Sequence, residues 1–217
     1  MRKAIATGIE ALVPAAIAFA GSTPPPRAVS DAITVAPTTV KDHVRSLRLG
    51  EFTALFEKTP LEEIRAKLGG NEISHAGDAS DSIRWLCYSL PGQIFWLISN
   101  PMGGTRAHLM EVVAESVPNA DPRLESCSPV PQNLRPISLE FGWLGTSKAE
   151  LHHRLGQPSR VQGDWQLFRF QGKVDGSYRA PGAAAPSRVE YDVLAYIEAK
   201  LENGAISALR ALHVTSY

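Results

Sequence analysis

At 217 residues and 23.5 kDa the chain has room for one large domain or two small ones, and its 44% hydrophobic content is enough for a core. Lys plus Arg and Asp plus Glu both number 22, so the formal net charge is zero. With no basic excess there is no electrostatic footprint for nucleic acid or an anionic membrane, and neither is an expected partner.

Arg2 and Lys3 precede a run, residues 4–20, made mostly of Ala, Ile, Leu, Val and Phe. Ala18-Phe19-Ala20 then puts small residues where a signal peptidase reads them. Glu10 and Pro14 interrupt the run, which is too short and too polar to span a membrane well. The expectation is a signal peptide over 1–20, cleaved after Ala20, and a periplasmic or secreted protein without an integral membrane span. No Cys stands near the cleavage point, so lipid attachment there is not expected. Residues 21–45, rich in Pro, Ser, Thr and Ala without periodicity, read as a disordered leader.

A first module is expected over 46–115. Gly50-Glu-Phe-Thr-Ala-Leu-Phe56 sets Phe52, Ala54 and Phe56 at strand period. A helix follows, with Thr59 as cap, Pro60 at its first position and Glu62 completing a capping box. Leu61, Ile64 and Leu68 form its apolar stripe, and Gly69-Gly70 stops it. After a polar loop, residues 82–89, 93–99 and 107–114 read as a three-stranded meander, with Pro91-Gly92 at the first bend.

Residues 116–135 form a connector, and 136–217 repeat the plan. At an offset of 87 positions Thr59 falls on Thr146, Ile64 on Leu151, Leu68 on Leu155 and Gly69 on Gly156. Ile137, Leu139, Phe141 and Trp143 give the strand, Ser147 and Glu150 a second capping box, and Gly156 and Pro158 the helix stop. The meander is expected as 165–170, 191–201 and 205–215, with Asn203-Gly204 a hairpin turn. Residues 171–190, rich in Gly, Ala and Pro, read as a long loop where the first copy has only Pro91-Gly92. The expected fold is therefore α+β: two tandem modules, each one helix packed on an antiparallel sheet in the order strand, helix, three-stranded meander.

A short helix ending in Leu155-Gly-Gln-Pro158, then a turn, Trp165 and a meander, resembles the BamE/SmpA outer-membrane assembly lipoproteins. In doubled form it is similar to the secreted β-lactamase inhibitor protein. The likeness covers residues 137–170 best and 52–69 more loosely, and no functional residue is carried over. It implies a non-catalytic binding module that grips a protein with a sheet face or loops.

Cys87, in an apolar strand, and Cys127, in the connector, are expected to form a disulfide if the chain is exported. No Gly-x-Ser-x-Gly elbow, phosphate loop or zinc spacing occurs, so no catalytic residue, cofactor or metal is assigned. His152 and His153 point about 100° apart on a helix and read as surface residues. Stepping back by two from Tyr217 meets Thr215 and His213, which breaks the terminal pattern of a membrane barrel.

Trp143 and Trp165 read as core. Trp85 and Trp96, on adjacent strands, are either the packed core of the first module or an exposed aromatic groove that contacts a partner. Tyr178 and Arg179, at the tip of the 171–190 loop, are the other candidate contacts. The expected function is a non-enzymatic envelope protein that binds an envelope or secreted protein through a sheet face and that loop. A periplasmic small-ligand or lipid carrier is the alternative, and an unrecognised hydrolase the third.

Overall fold

The structure, a computed structural model, describes residues 23–26, 36–37, 41–78, 82–100, 106–178, 185 and 187–216. The expected signal peptide with its cleavage site, Arg179 and Tyr217 lie outside the described residues.

The chain is mainly β, which corrects the α+β expectation. Among the described residues α-helix is confined to α1 (Leu61–Leu68), α2 (Arg123–Ser126) and α3 (Lys148–Leu155), and the modules do not have a sheet each. A single nine-stranded sheet instead runs through both halves. The first half supplies β3 (Ser74–Ala76), β4 (Ile83–Leu90), β5 (Gln93–Ser99) and β6 (Glu111–Ser116) in spatial order. The second supplies β9 (Arg160–Gln162), β10 (Trp165–Tyr178), β11 (Ser187–Glu202) and β12 (Ala205–Ser216), running inward from the far edge. β6 pairs antiparallel with β12, from Ala208 opposite Glu115 to Leu212 opposite Glu111. Joining the halves there satisfies backbone groups that two separate sheets would have left as open edges. β7 (Ser128–Pro129) adds to β4 in parallel from the connector.

A small second sheet also mixes the halves. β1 (Ser46–Leu49) lies between β2 (Phe52–Leu55) and β8 (Ile137–Leu139). β1 was not expected from the sequence, where it follows directly on the supposed leader.

The two helix starts make matching hydrogen bonds. Leu61 N donates to Ala107 O (2.7 Å) and Leu109 N to Thr59 O (2.9 Å). In the second half Lys148 N donates to Gly204 O (2.8 Å) and Ile206 N to Thr146 O (2.9 Å). Each helix is thus tethered by the segment that opens the last strand of its own half. Because 107–109 make these tethers, β6 begins at Glu111, later than the expected strand. Thr59 and Thr146 also match: their hydroxyls accept from Leu55 N (2.8 Å) and Trp143 N (3.0 Å).

Thr59 therefore caps no helix. The residue before α1 is Pro60, and the first capping box does not form. In the second half the cap does form, Ser147 Oγ accepting from Glu150 N at 3.2 Å, while the Glu150 carboxylate turns to Arg154 at 2.6 Å. Ser147→Ala is expected to cost about 1 kcal/mol in a denaturant titration, and Pro60→Ala to show no cap loss of that size. Gly69 (φ 72°) and Gly156 (φ 81°) stop the helices in the left-handed region.

The main core lies on one face of the large sheet, here called inner. Leu86, Phe95, Leu97, Val112, Phe168, Ile197 and Leu209 meet Ile64, Leu151, Leu155 and the small sheet's Leu47 and Leu49. Phe95 anchors it, stacked on Tyr88 at 5.6 Å and edge-on to Trp143 at 5.7 Å. Burial pushes the Tyr88 phenol up, and its hydroxyl donates to Gly69 O at 3.0 Å. Trp143 is core as expected, with its indole N–H on Gln93 Oε1 at 3.0 Å. Trp165 is half-exposed, because the alternation that turns Phe168 inward turns Trp165 to the outer face.

The second core cluster lies on the outer face of the first half, around Trp85, Cys87, Ile94, Trp96, Ile98, Val113 and Cys127. Leu124 of α2 packs against it. The 21–45 leader is corrected where it is described: Val44 is core at 1% exposure, and Thr23 is hydrogen-bonded to Trp96.

Candidate functional site

The expected contact residues do not form one site. Trp85 and Trp96 are 5% and 0% exposed, so they present no aromatic groove to solvent. Three strands, β6, β12 and β11, separate β5 from β10, which carries Tyr178 at its end. At about 4.8 Å per strand that is roughly 19 Å. Cys87 and Cys127 do come together at disulfide distance, Cα–Cα 4.9 Å, 40 positions apart.

The 171–190 loop is corrected too. Residues 171–178 and 187–190 are paired strand, in register from Gln171 opposite Leu194 to Tyr178 opposite Ser187. β12 ends its pairing with Ser216 opposite Asp192. Beyond that point β10 and β11 continue as a two-stranded arm. The glycines that suggested a loop make room for rings: a Cβ on Gly176 would lie 2.3 Å from the Tyr191 ring. Lys173–Glu190 (2.6 Å) and Arg188–Asp175 ion pairs cross the arm, but all four groups are well exposed and add little stability.

Beneath the arm, between the halves, lies a cleft of about 490 Å³. Its walls come from 42–58 of the first half and from Val174, Asp175, Val193, His213 and Thr215 of the second. Leu55 (41% exposed) and Val174 (46% exposed) both line it.

At the cleft's base three segments meet on His213. Its Nδ1 lies 2.8 Å from Glu57 Oε2 and its Nε2 lies 3.1 Å from Asp42 Oδ2. Glu57 also accepts from Thr215 N (2.7 Å) and Thr215 Oγ1 (2.5 Å). Glu57 sits at φ 59°, a left-handed conformation costly for a residue with a side chain, while its N–H bonds Leu109 O at 2.6 Å. That backbone turn aims the carboxylate at His213.

Burial alone would lower the His213 pKa, but the hydrogen bonds and charges of Asp42 and Glu57 overcome it and raise it to about 9. For the carboxylates burial works upward, and the bonds from His213, Val44 N and Thr215 win and hold both below their ordinary values. At neutral pH His213 is thus a cation donating from both nitrogens. It offers no lone pair for a general base or a metal ion. Chemically the arrangement is an ionic clamp that closes the floor of the cleft.

The sequence reading missed Asp42, Glu57 and His213. Asp42 lay in the supposed leader and Glu57 in a turn. The legible signal was in β12, where Leu209 and Ala211 face inward and the same alternation then meets His213 and Thr215. His153 is exposed, as expected of a surface residue, while His152 is half-buried and bonds Gln166 Oε1 at 2.6 Å.

The outer face of the second half is the other candidate surface. Trp165, Leu194, Tyr196, Leu212 and Val214 are half-exposed there. They surround the Arg210–Glu111 ion pair that crosses the seam between the halves. Burial pushes the Tyr196 hydroxyl up to about 12 and also raises Glu111, despite its partner.

No family model, curated protein or solved structure matches this chain. The likeness to the assembly lipoproteins and the inhibitor protein rests on the residues quoted for it.

Proposed function

We propose that this chain is an exported, non-enzymatic protein that binds another protein with the β10–β11 arm, the cleft beneath it and the outer face of the second half. The observation that carries the reading is the pairing of Leu55 and Val174 across one cleft. They are two of the three large hydrophobics exposed on the described surface, and Arg45, Lys58 and Asp175 frame them. An apolar centre with a charged rim is the usual anatomy of a protein interface. Export is supported by the basic and apolar start of the chain and by the Cys87–Cys127 pair, which an oxidising compartment would close. His213, with both nitrogens engaged, gives a hydrolytic reading no support.

The test is to replace residues 175–190 with Asn-Gly, joining Val174 to Tyr191, which already pair. In-cell crosslinking of the unaltered chain is expected to capture one saturable envelope protein. The shortened chain is expected to keep its melting temperature within a few degrees and lose capture at least about ten-fold. Undiminished capture by the shortened chain would remove the arm from the interface.

A cleft of this volume also falls within the range of small-molecule sites, roughly 300–1,000 Å³. That favours a small amphiphilic ligand as the second reading. Mass spectrometry of organic extracts of the purified protein separates the two, because only the carrier yields a stoichiometric lipid.

A further inference from the structure

The hydrophobic side chains of the outer cluster carry two polar groups, while Ser89, Glu111 and Glu115 border the cluster on the same face. Ile83, Ile94, Ile98, Val113, Val117 and Leu124 contribute only hydrocarbon, so the polar atoms its Trp and aliphatic side chains present are the indole N–H groups of Trp85 and Trp96. Both are donors, and a ligand suited to them offers carbonyl acceptors without N–H groups of its own to satisfy. Proline-rich chain does this, since proline keeps its carbonyl and has no backbone N–H.

Such a segment is already there. Trp96 Nε1 donates to Thr23 O at 2.8 Å, and Thr23 begins the run Thr-Pro-Pro-Pro. Thr23 Oγ1 meets Ser126 Oγ of α2. Ser126 spends its own proton on Arg123 O (2.9 Å), so the threonine donates. An indole donating to a peptide carbonyl beside consecutive prolines is the chemistry by which aromatic surfaces read polyproline II.

The fit is half complete. Trp85 is 95% buried, yet its Nε1 has no hydrogen-bond partner among the described residues. Trp85 pairs Ile98 and Cys87 pairs Trp96, so the two tryptophans are diagonal neighbours on adjacent strands. The Cα atoms of diagonal neighbours stand about 7–8 Å apart, of the same order as the ~9 Å turn of a polyproline II helix. One turn of such a ligand would bring a second carbonyl to Trp85 while the first stays on Trp96. The chain's own residues 23–26 supply only the first.

We propose that the Trp85/Trp96 face is a groove for an extended proline-rich segment of another protein, and that residues 23–26 fill it as an intramolecular stand-in. This surface shares no lining residue with the cleft under the arm, so either site can fail without the other.

The probe is an acetylated, amidated peptide of the chain's own residues 22–28, Ser-Thr-Pro-Pro-Pro-Arg-Ala, added to the full-length protein. The receptor is the Pro24→Gly, Pro25→Gly, Pro26→Gly variant, whose loosened segment competes less; Pro24 is exposed, Pro25 and Pro26 are half-buried, and none belongs to either core. The readout is the ¹⁵N-resolved indole N–H resonances of Trp85 and Trp96. The expected result is saturable binding that moves both resonances and is at least about ten-fold tighter than binding of the same peptide with Ala for each Pro. Trp96→Phe in the variant background is expected to lose a similar factor. Absence of binding, equal binding of the alanine peptide, or an unmoved Trp85 resonance would each overturn the proposal. The unaltered chain at about millimolar peptide gives the same readout should the triple change disturb the fold.

Discussion

His213→Gln is expected to destabilise the protein by about 3 kcal/mol at pH 6, and by much less at pH 9.5. His213 donates from both ring nitrogens to Asp42 and Glu57, and its side chain is only 12% exposed. Its pKa is about 9 in the fold against 6.5 ordinarily, so folding favours the protonated ring. Below pH 6.5 both folded and unfolded chains carry that proton, and the contribution is complete. Between 6.5 and 9 only the folded chain keeps it, and the contribution falls away as pH rises. Asp42 and Glu57 act in the opposite sense: held below their ordinary values, they contribute above about pH 4.5 and withdraw as pH falls through those lowered values. The clamp is therefore whole between about pH 4.5 and 6.5. Urea titrations of both chains across this range give the measurement, with an expected midpoint shift on the order of 1 M at pH 6. A difference between wild type and His213→Gln that stays constant from pH 6 to 9.5 would refute the protonated clamp. The variant also leaves two part-buried carboxylates facing each other, so its loss at pH 6 includes their repulsion.

Replacing Cys87 and Cys127 together with alanine is expected to cost about 4 kcal/mol relative to the oxidised chain, the chain-entropy value for a loop of 40 positions. For a protein of this size that corresponds to a fall of roughly 8–16 °C in melting temperature. The connector should stay in place, because other bonds hold it. Val130 N donates to Ser89 O (3.0 Å), Asn71 N to Ser128 Oγ (2.9 Å), and β7 pairs with β4. Differential scanning calorimetry of oxidised, reduced and doubly substituted protein checks this. Melting of all three within about 2 °C would mean that the bond adds nothing beyond the packing of two buried residues in the outer cluster.

The local pieces of this protein were legible in its sequence because their causes are local. α1 and α3 sit where apolar spacing and a following glycine put them, and Asn203 (φ 51°) with Gly204 (φ 77°) makes the hairpin turn that the dipeptide demands. The offset that laid Thr59 on Thr146 was legible as well, since both hydroxyls face the same backbone task. Residues 171–190 were misread because their glycines and alanines lack a strand period, although cross-strand pairing and ring-over-glycine packing make most of them β.

Tertiary structure alone decided the rest. The joining of β6 to β12 turned two expected sheets into one, and no property of Glu111 or Leu212 taken singly announces that partner. The same holds for the cleft. Asp42, Glu57 and His213 lie up to 171 positions apart, and only the closure of the halves brings their charges within hydrogen-bond reach. Composition and spacing determined which segments could be helix, strand or turn, because those preferences act over a few residues. Pairing between sheet edges and among distant charges depends on where the whole chain places them.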